Sequence, residues 1–133
     1  MNGQGNPYKI HKNPVKRLIA AAGYSWKGLC AVMRTEPAFR LEVFIACLLI
    51  PLALVLDITK AQHIILVFSV VFVLILELIN TAIERVIDRI SFERHELSKE
   101  AKDIGSAIVM LGIVSALFTW VAVLFLWQSV SPA

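Results

Sequence analysis

The feature that most constrains this chain is a set of three apolar stretches, at 39–58, 61–83 and 104–127, separated by short polar or charged breaks. About twenty apolar residues wound into an α-helix cover the roughly 30 Å of a bilayer's hydrocarbon core. Pro51 interrupts the first stretch, which is tolerable where neighbouring helices re-satisfy the freed backbone. The pattern predicts an all-α membrane protein with three transmembrane helices. Composition agrees: 58% of the 133 residues are hydrophobic and the mean hydropathy is +0.74, values that a water-soluble domain of this length rarely carries. The length suffices for one domain, and no internal repeat or low-complexity tract divides it.

Residues 1–13 are rich in Gly, Asn and Lys and are expected to form a flexible N-terminus. The remainder, 14–133, reads as a single membrane domain. Across 14–35, Leu18, Ala22, Trp26, Leu29 and Met33 recur at spacings of three or four, while Lys16, Arg17, Lys27 and Arg34 supply cations. This is the signature of a basic amphipathic helix suited to an anionic headgroup layer. Glu36-Pro37 then marks a turn and a new helix start. The first span is expected over 39–58, the second over 61–89, a charged connector over 90–103 and the third span over 104–127, with Trp120 and Trp127 suited to the interface. The first forty residues are polar and basic, without the apolar core of a cleavable signal peptide. Cys30 and Cys47 lack metal-ligand spacing and read as free thiols.

Charge sets the orientation. Of thirteen Lys and Arg residues only Lys60 lies between the first two spans, and none follows the third. The positive-inside rule places the N-terminus and the connector in the cytoplasm and the C-terminus outside. A net charge of +3 is too small to argue for nucleic acid.

Chemistry concentrates in the second span. Glu77, Asn80, Thr81, Glu84 and Asp88 fall at offsets of three, four, seven and eleven, so they share one helix face. A charged side chain at bilayer depth costs roughly 2.5–3.5 kcal/mol on insertion scales, which a purely incidental row of acids would not sustain. Glu77 is the deepest, flanked by apolar residues that suit it to accept a proton; a stripe of hydrogen bonds between helices is the bland alternative. Glu36 stands at the depth expected for Glu84, and two carboxylates from different helices can hold Mg²⁺ together with substrate phosphate. Spacing alone leaves Glu36 equally readable as an exposed acid at a helix start. The connector adds Glu93, His95, Lys102 and Asp103. Lys102 is placed to neutralise phosphate charge and Asp103 to bind metal or a nucleotide hydroxyl, although most loop charges are merely solvated. The three histidines lie too far apart in sequence for a metal site. Gly23-Tyr-Ser-Trp-Lys-Gly28 lacks the Lys-Ser or Lys-Thr of a phosphate loop, and no Gly-rich kinase loop or His-Arg-Asp triplet occurs.

Four blocks carry a family likeness: Ala21-Ala-Gly-Tyr-Ser-Trp-Lys-Gly-Leu29, Glu36-x-Ala-Phe-Arg40-x-Glu42, Glu77-x-x-Asn80-x-Ala-Ile-Glu84-x-x-x-Asp88-Arg89, and His95-Glu-Leu-Ser-x-x-Ala-Lys102-Asp-x-Gly-Ser-Ala107. With them the chain resembles the prokaryotic diacylglycerol kinases from about residue 16 to its end. The resemblance implies a homotrimer in the bacterial inner membrane, each subunit having three spans and a surface helix, with sites shared between subunits. It implies Glu77 as the base that deprotonates the lipid hydroxyl, and Glu36 and Glu84 as ligands of the Mg²⁺ that bridges ATP phosphates. Arg17, Tyr24, Asn80, Asp88, Glu93, His95, Lys102 and Asp103 would bind or orient ATP. Arg17, Trp26, Arg40, Glu42, Glu77 and Ser106 would meet the lipid. Diacylglycerol is the expected acceptor and phosphatidic acid the product; undecaprenol is the alternative acceptor within the family. A small oligomeric proton or cation pathway is a more distant reading. The chain departs from the family pattern in its extended N-terminus, in Arg94 and in Cys30.

Overall fold

The computed structural model describes residues 13–90 and 95–126. Among them the chain forms α1 (Pro14–Thr35), α2 (Pro37–Val55), α3 (Lys60–Ile90) and α4 (Glu96–Val121), the last prolonged by a π-helical turn at Ala122–Leu126. No strand occurs among the described residues. They divide into two compact units, one containing α1 and the other running from Glu36 onward. In the first, Asn13 Oδ1 accepts the Val15 N–H at 2.9 Å, satisfying one of the orphan donors of the first turn. Arg34 stands in its last turn, where a cation complements the helix dipole. Leu18, Ile19 and Trp26 are exposed along it.

In the second unit, α2, α3 and α4 are each long and apolar enough to cross a membrane. The all-α architecture with three spanning helices is therefore what the sequence pattern predicts. Helix ends differ from the expectation, for local reasons. α2 opens at Pro37, whose missing N–H costs nothing in the first turn, and closes at Val55 because Leu56 turns to extended backbone. The expected connector over 90–103 is largely helical, since α4 already begins at Glu96. His95 Nδ1 accepts the Leu97 N–H at 3.2 Å, and Glu96 in the first turn opposes the positive helix end. Glu93 and Arg94, like Trp127 and residues 1–12, lie outside the described residues.

α3 packs against both α2 and α4. The turn between α2 and α3 is closed by a reciprocal cap. Gln62 Oε1 accepts from the Thr59 N–H at 2.8 Å and from its hydroxyl at 2.9 Å, and the Gln62 N–H lies 3.4 Å from Thr59 Oγ1. His63 Nε2 stands 3.0 Å from the Leu56 carbonyl. Ala53, Leu66 and Val123 form a buried cluster beside this turn, with Trp120 packed on it. Trp120, expected at the membrane interface, is thus turned into the bundle, and its indole nitrogen is buried. Between α3 and α4 two glycines set the approach: a Cβ at Gly105 would overlap Asn80 Oδ1, and one at Gly112 would overlap Leu76 Cδ1.

Candidate active site

The 31 residues of α3 make a helix of about 46 Å, some 16 Å longer than a hydrocarbon core. The twenty or so residues that suffice to cross that core, counted from Lys60, end near Asn80. Glu77 falls within this count, and Glu84 and Asp88 fall past it.

At this end of the bundle the start of α2, the end of α3 and the start of α4 converge. Glu77, Asn80 and Thr81 are buried, so the row faces protein rather than lipid, the arrangement that makes an intramembrane acid sustainable. Asn80 Nδ2 donates to Glu84 Oε1 at 3.3 Å, which orients that carboxylate two turns along α3 from Glu77. Glu77 and Glu84 stand on one face of α3, and Glu36 and Glu42 lie at the start of α2, the helix packed beside it. Glu36 occupies the N-cap position of α2 but makes no side-chain cap bond; its Oε1 lies 3.4 Å from Arg85 Nη2 on α3. Glu36 thus engages α3 rather than the first turn of its own helix. Across the α3–α4 contact, Lys102 Nζ donates to Asp88 Oδ1 at 2.6 Å.

A cavity of about 310 Å³ opens in the apolar part of the bundle below these acids. Glu42, Ile45, Val70, Val73, Ile113 and Trp120 are among its lining. Glu42 Oε2 and Trp120 Nε1 are buried without a hydrogen-bond partner, and so is Asn80 Oδ1. Unmatched buried polar atoms of this kind cost about 1–3 kcal/mol each, a cost that a bound polar group would offset.

The other expected residues are distributed as follows. Arg40 is exposed in the first turn of α2, and Asp103 and Ser106 are exposed near the start of α4. His95 spends its Nδ1 on the α4 cap. Arg17, Tyr24 and Trp26 stand on α1, in the other unit. Sequence reasoning missed Arg85, although its offset of eight from Glu77 places it on the same helix face. It also missed Gly105, whose role is visible only once α4 is laid against Asn80.

As a donor set, Glu36 and Glu84 offer hard carboxylate oxygens from two helices. No group of three or more His, Cys, Asp or Glu forms a complete cage among the described residues. Two carboxylates with open positions suit Mg²⁺, which keeps waters or substrate phosphates in its shell, better than a metal needing a full set of protein ligands.

The family model described as prokaryotic diacylglycerol kinase matches residues 23–124. The chain is a member of the prokaryotic diacylglycerol kinase family. Of the candidate catalytic, metal, nucleotide and lipid residues, all except Arg17 fall inside the matched segment. The chain is 48% identical over 109 residues to a diacylglycerol kinase of Escherichia coli, covering 82% of this chain and 89% of the relative. It is 47% identical over 108 residues to that of Haemophilus influenzae, covering 81% and 92%, and 40% identical over 119 residues to that of Pseudomonas aeruginosa, covering 90% and 96%.

Proposed function

We propose that this protein transfers the γ-phosphoryl group of ATP to the hydroxyl of diacylglycerol, giving phosphatidic acid and ADP. The observation that supports the reading is Glu77: a buried carboxylate on α3, one helical turn from the Asn80 side chain that bonds Glu84, and in the proposed orientation near the membrane boundary. A diacylglycerol hydroxyl resides at that same depth, and ATP approaches from water. Glu77 takes the hydroxyl proton. The freed oxygen bonds to the γ-phosphorus in line with the β–γ bridging oxygen, and that P–O bond breaks to release ADP. Glu36 and Glu84 would hold a divalent cation, Mg²⁺ in this proposal, which when bound offsets charge on the phosphate oxygens. Asn80 fixes the Glu84 carboxylate, and Lys102, at the mouth of the site, offsets charge on the transferring group. Positioning and electrostatics supply most of the acceleration in reactions of this class. Asp88, Asp103, Glu93 and His95, together with Arg17 and Tyr24, would orient the nucleotide. Glu42 and the cavity, with Arg40, Ser106 and Trp26, would take the lipid. The subunit would work as a homotrimer in the bacterial inner membrane, with α1 on its cytoplasmic surface.

The test is ATP-dependent phosphorylation of diacylglycerol and undecaprenol side by side in mixed micelles, for wild type and Glu77→Gln. Wild type is expected to label diacylglycerol, and the folded variant to lose about 10²–10⁴-fold in rate, the usual worth of a positioned base. A clear preference for undecaprenol would move the reading to the other acceptor with the chemistry unchanged. No labelling of either lipid by folded wild-type protein would end the kinase reading for this chain.

A further inference from the structure

Glu36 and Arg85 are 49 positions apart, on the residue just before α2 and near the end of α3, yet their side chains meet. The pair is loose. At 3.4 Å it exceeds the 2.7–2.9 Å of a well-formed charge-assisted hydrogen bond, and the Arg85 side chain is 45% exposed. Glu36 makes no side-chain cap bond on α2, and its Oε1 lies toward Arg85 on α3. A divalent cation on Glu36 would stand beside the guanidinium, and like charges at that range repel.

We propose that Arg85 competes with the divalent cation for Glu36, and so sets the cation concentration at which the site fills. This rests on the proposed role of Glu36 as a metal ligand. In the metal-free protein Arg85 balances one charge of a crowded group of acids and keeps the Glu36 carboxylate turned toward α3. When the cation arrives, Arg85 yields Glu36 and swings into the solvent it already half occupies.

The probe is Mn²⁺ alone, titrated against the full-length protein in lipid nanodiscs without nucleotide, with free Mn²⁺ read by electron paramagnetic resonance. An exposed ion pair is worth a factor of about two to five in an equilibrium. Arg85→Ala is therefore expected to tighten Mn²⁺ binding about two- to fivefold, while Arg85→Lys, which keeps the charge, stays close to wild type. In a Glu36→Gln background the gain from Arg85→Ala should vanish. Unchanged or weaker Mn²⁺ binding by folded Arg85→Ala overturns the proposal, as does an equal gain in the Glu36→Gln background. The underlying assignment fails separately: if Glu36→Gln alone binds Mn²⁺ as wild type does, Glu36 is not a ligand and the competition has no object.

Discussion

Lys102 and Asp88 illustrate how little a surface ion pair must contribute to folding in order to matter. Both side chains are substantially exposed, and solvent screens such pairs until they stabilise a fold only weakly. On the proposed chemistry, the pair presents an ammonium group at the mouth of a site rich in carboxylates. Lys102→Met is expected to leave the unfolding midpoint in micelles unchanged while lowering the phosphorylation rate about 100-fold, the lower range for removing one charge-stabilising donor. A matched loss of both would assign Lys102 to the fold. At this scale much was legible in the sequence. The offsets from Glu77 to Asp88 put those residues on one helix face, and in the structure the row is buried at its deep end and open at its charged end. Glu36 was not legible, because the choice between a helix-start acid and a cross-helix partner depends on where α3 lies. Arg85 was overlooked for a different reason: attention to acids passed over a cation in the same periodic series.

At the level of the helices, the α3–α4 seam separates two glycines that look alike in sequence. A methyl group at Gly112 meets the end of the Leu76 side chain, which can change rotamer, and replacing a helical Gly by Ala recovers up to about 1 kcal/mol of propensity. Gly112→Ala should therefore change stability by less than about 1 kcal/mol. At Gly105 the obstacle is the Asn80 amide, buried and already bonded to Glu84. Gly105→Ala should cost about 1–3 kcal/mol and lower activity by more than the stability loss explains, because the Glu84 carboxylate loses its support. Equilibrium unfolding and lipid phosphorylation on the same preparations separate the two variants. Helix existence followed from the apolar runs alone. The start of α4 did not, because a charged segment reads as a connector until its cap is recognised; His95 capping Leu97 makes a helix of residues that composition assigns to solvent.

For the molecule as a whole, orientation and assembly are the open structural proposals. On a background with Cys30 and Cys47 replaced, Ser98→Cys is expected to react with a membrane-impermeant maleimide only in inside-out vesicles, and Asp57→Cys only in right-side-out ones. The reverse pattern would invert the topology. Shared sites make a second forecast: Glu77→Gln and Lys102→Met subunits, each inactive alone, should regain activity when mixed before reconstitution. If the mixture stays inactive although the subunits exchange, each site is completed within one chain.

The reciprocal cap that anchors α3 beside Lys60 has a consequence at the opposite leaflet. The seventeen residues from Lys60 to Glu77 form a strut of about 26 Å in an upright helix, whatever lipid surrounds it. In the proposed orientation, with Lys60 at the outer boundary, the Glu77 carboxylate would sit almost level with the far boundary of a core about 27 Å thick and some 7 Å short of it in one of about 33 Å. A hydroxyl carried by a lipid rises and falls with that boundary, whereas the carboxylate is fixed to the strut. On the proposed chemistry, the thickness of the host membrane becomes an adjustable gap between base and acceptor, and lipid composition tunes the rate without touching a single residue of the site.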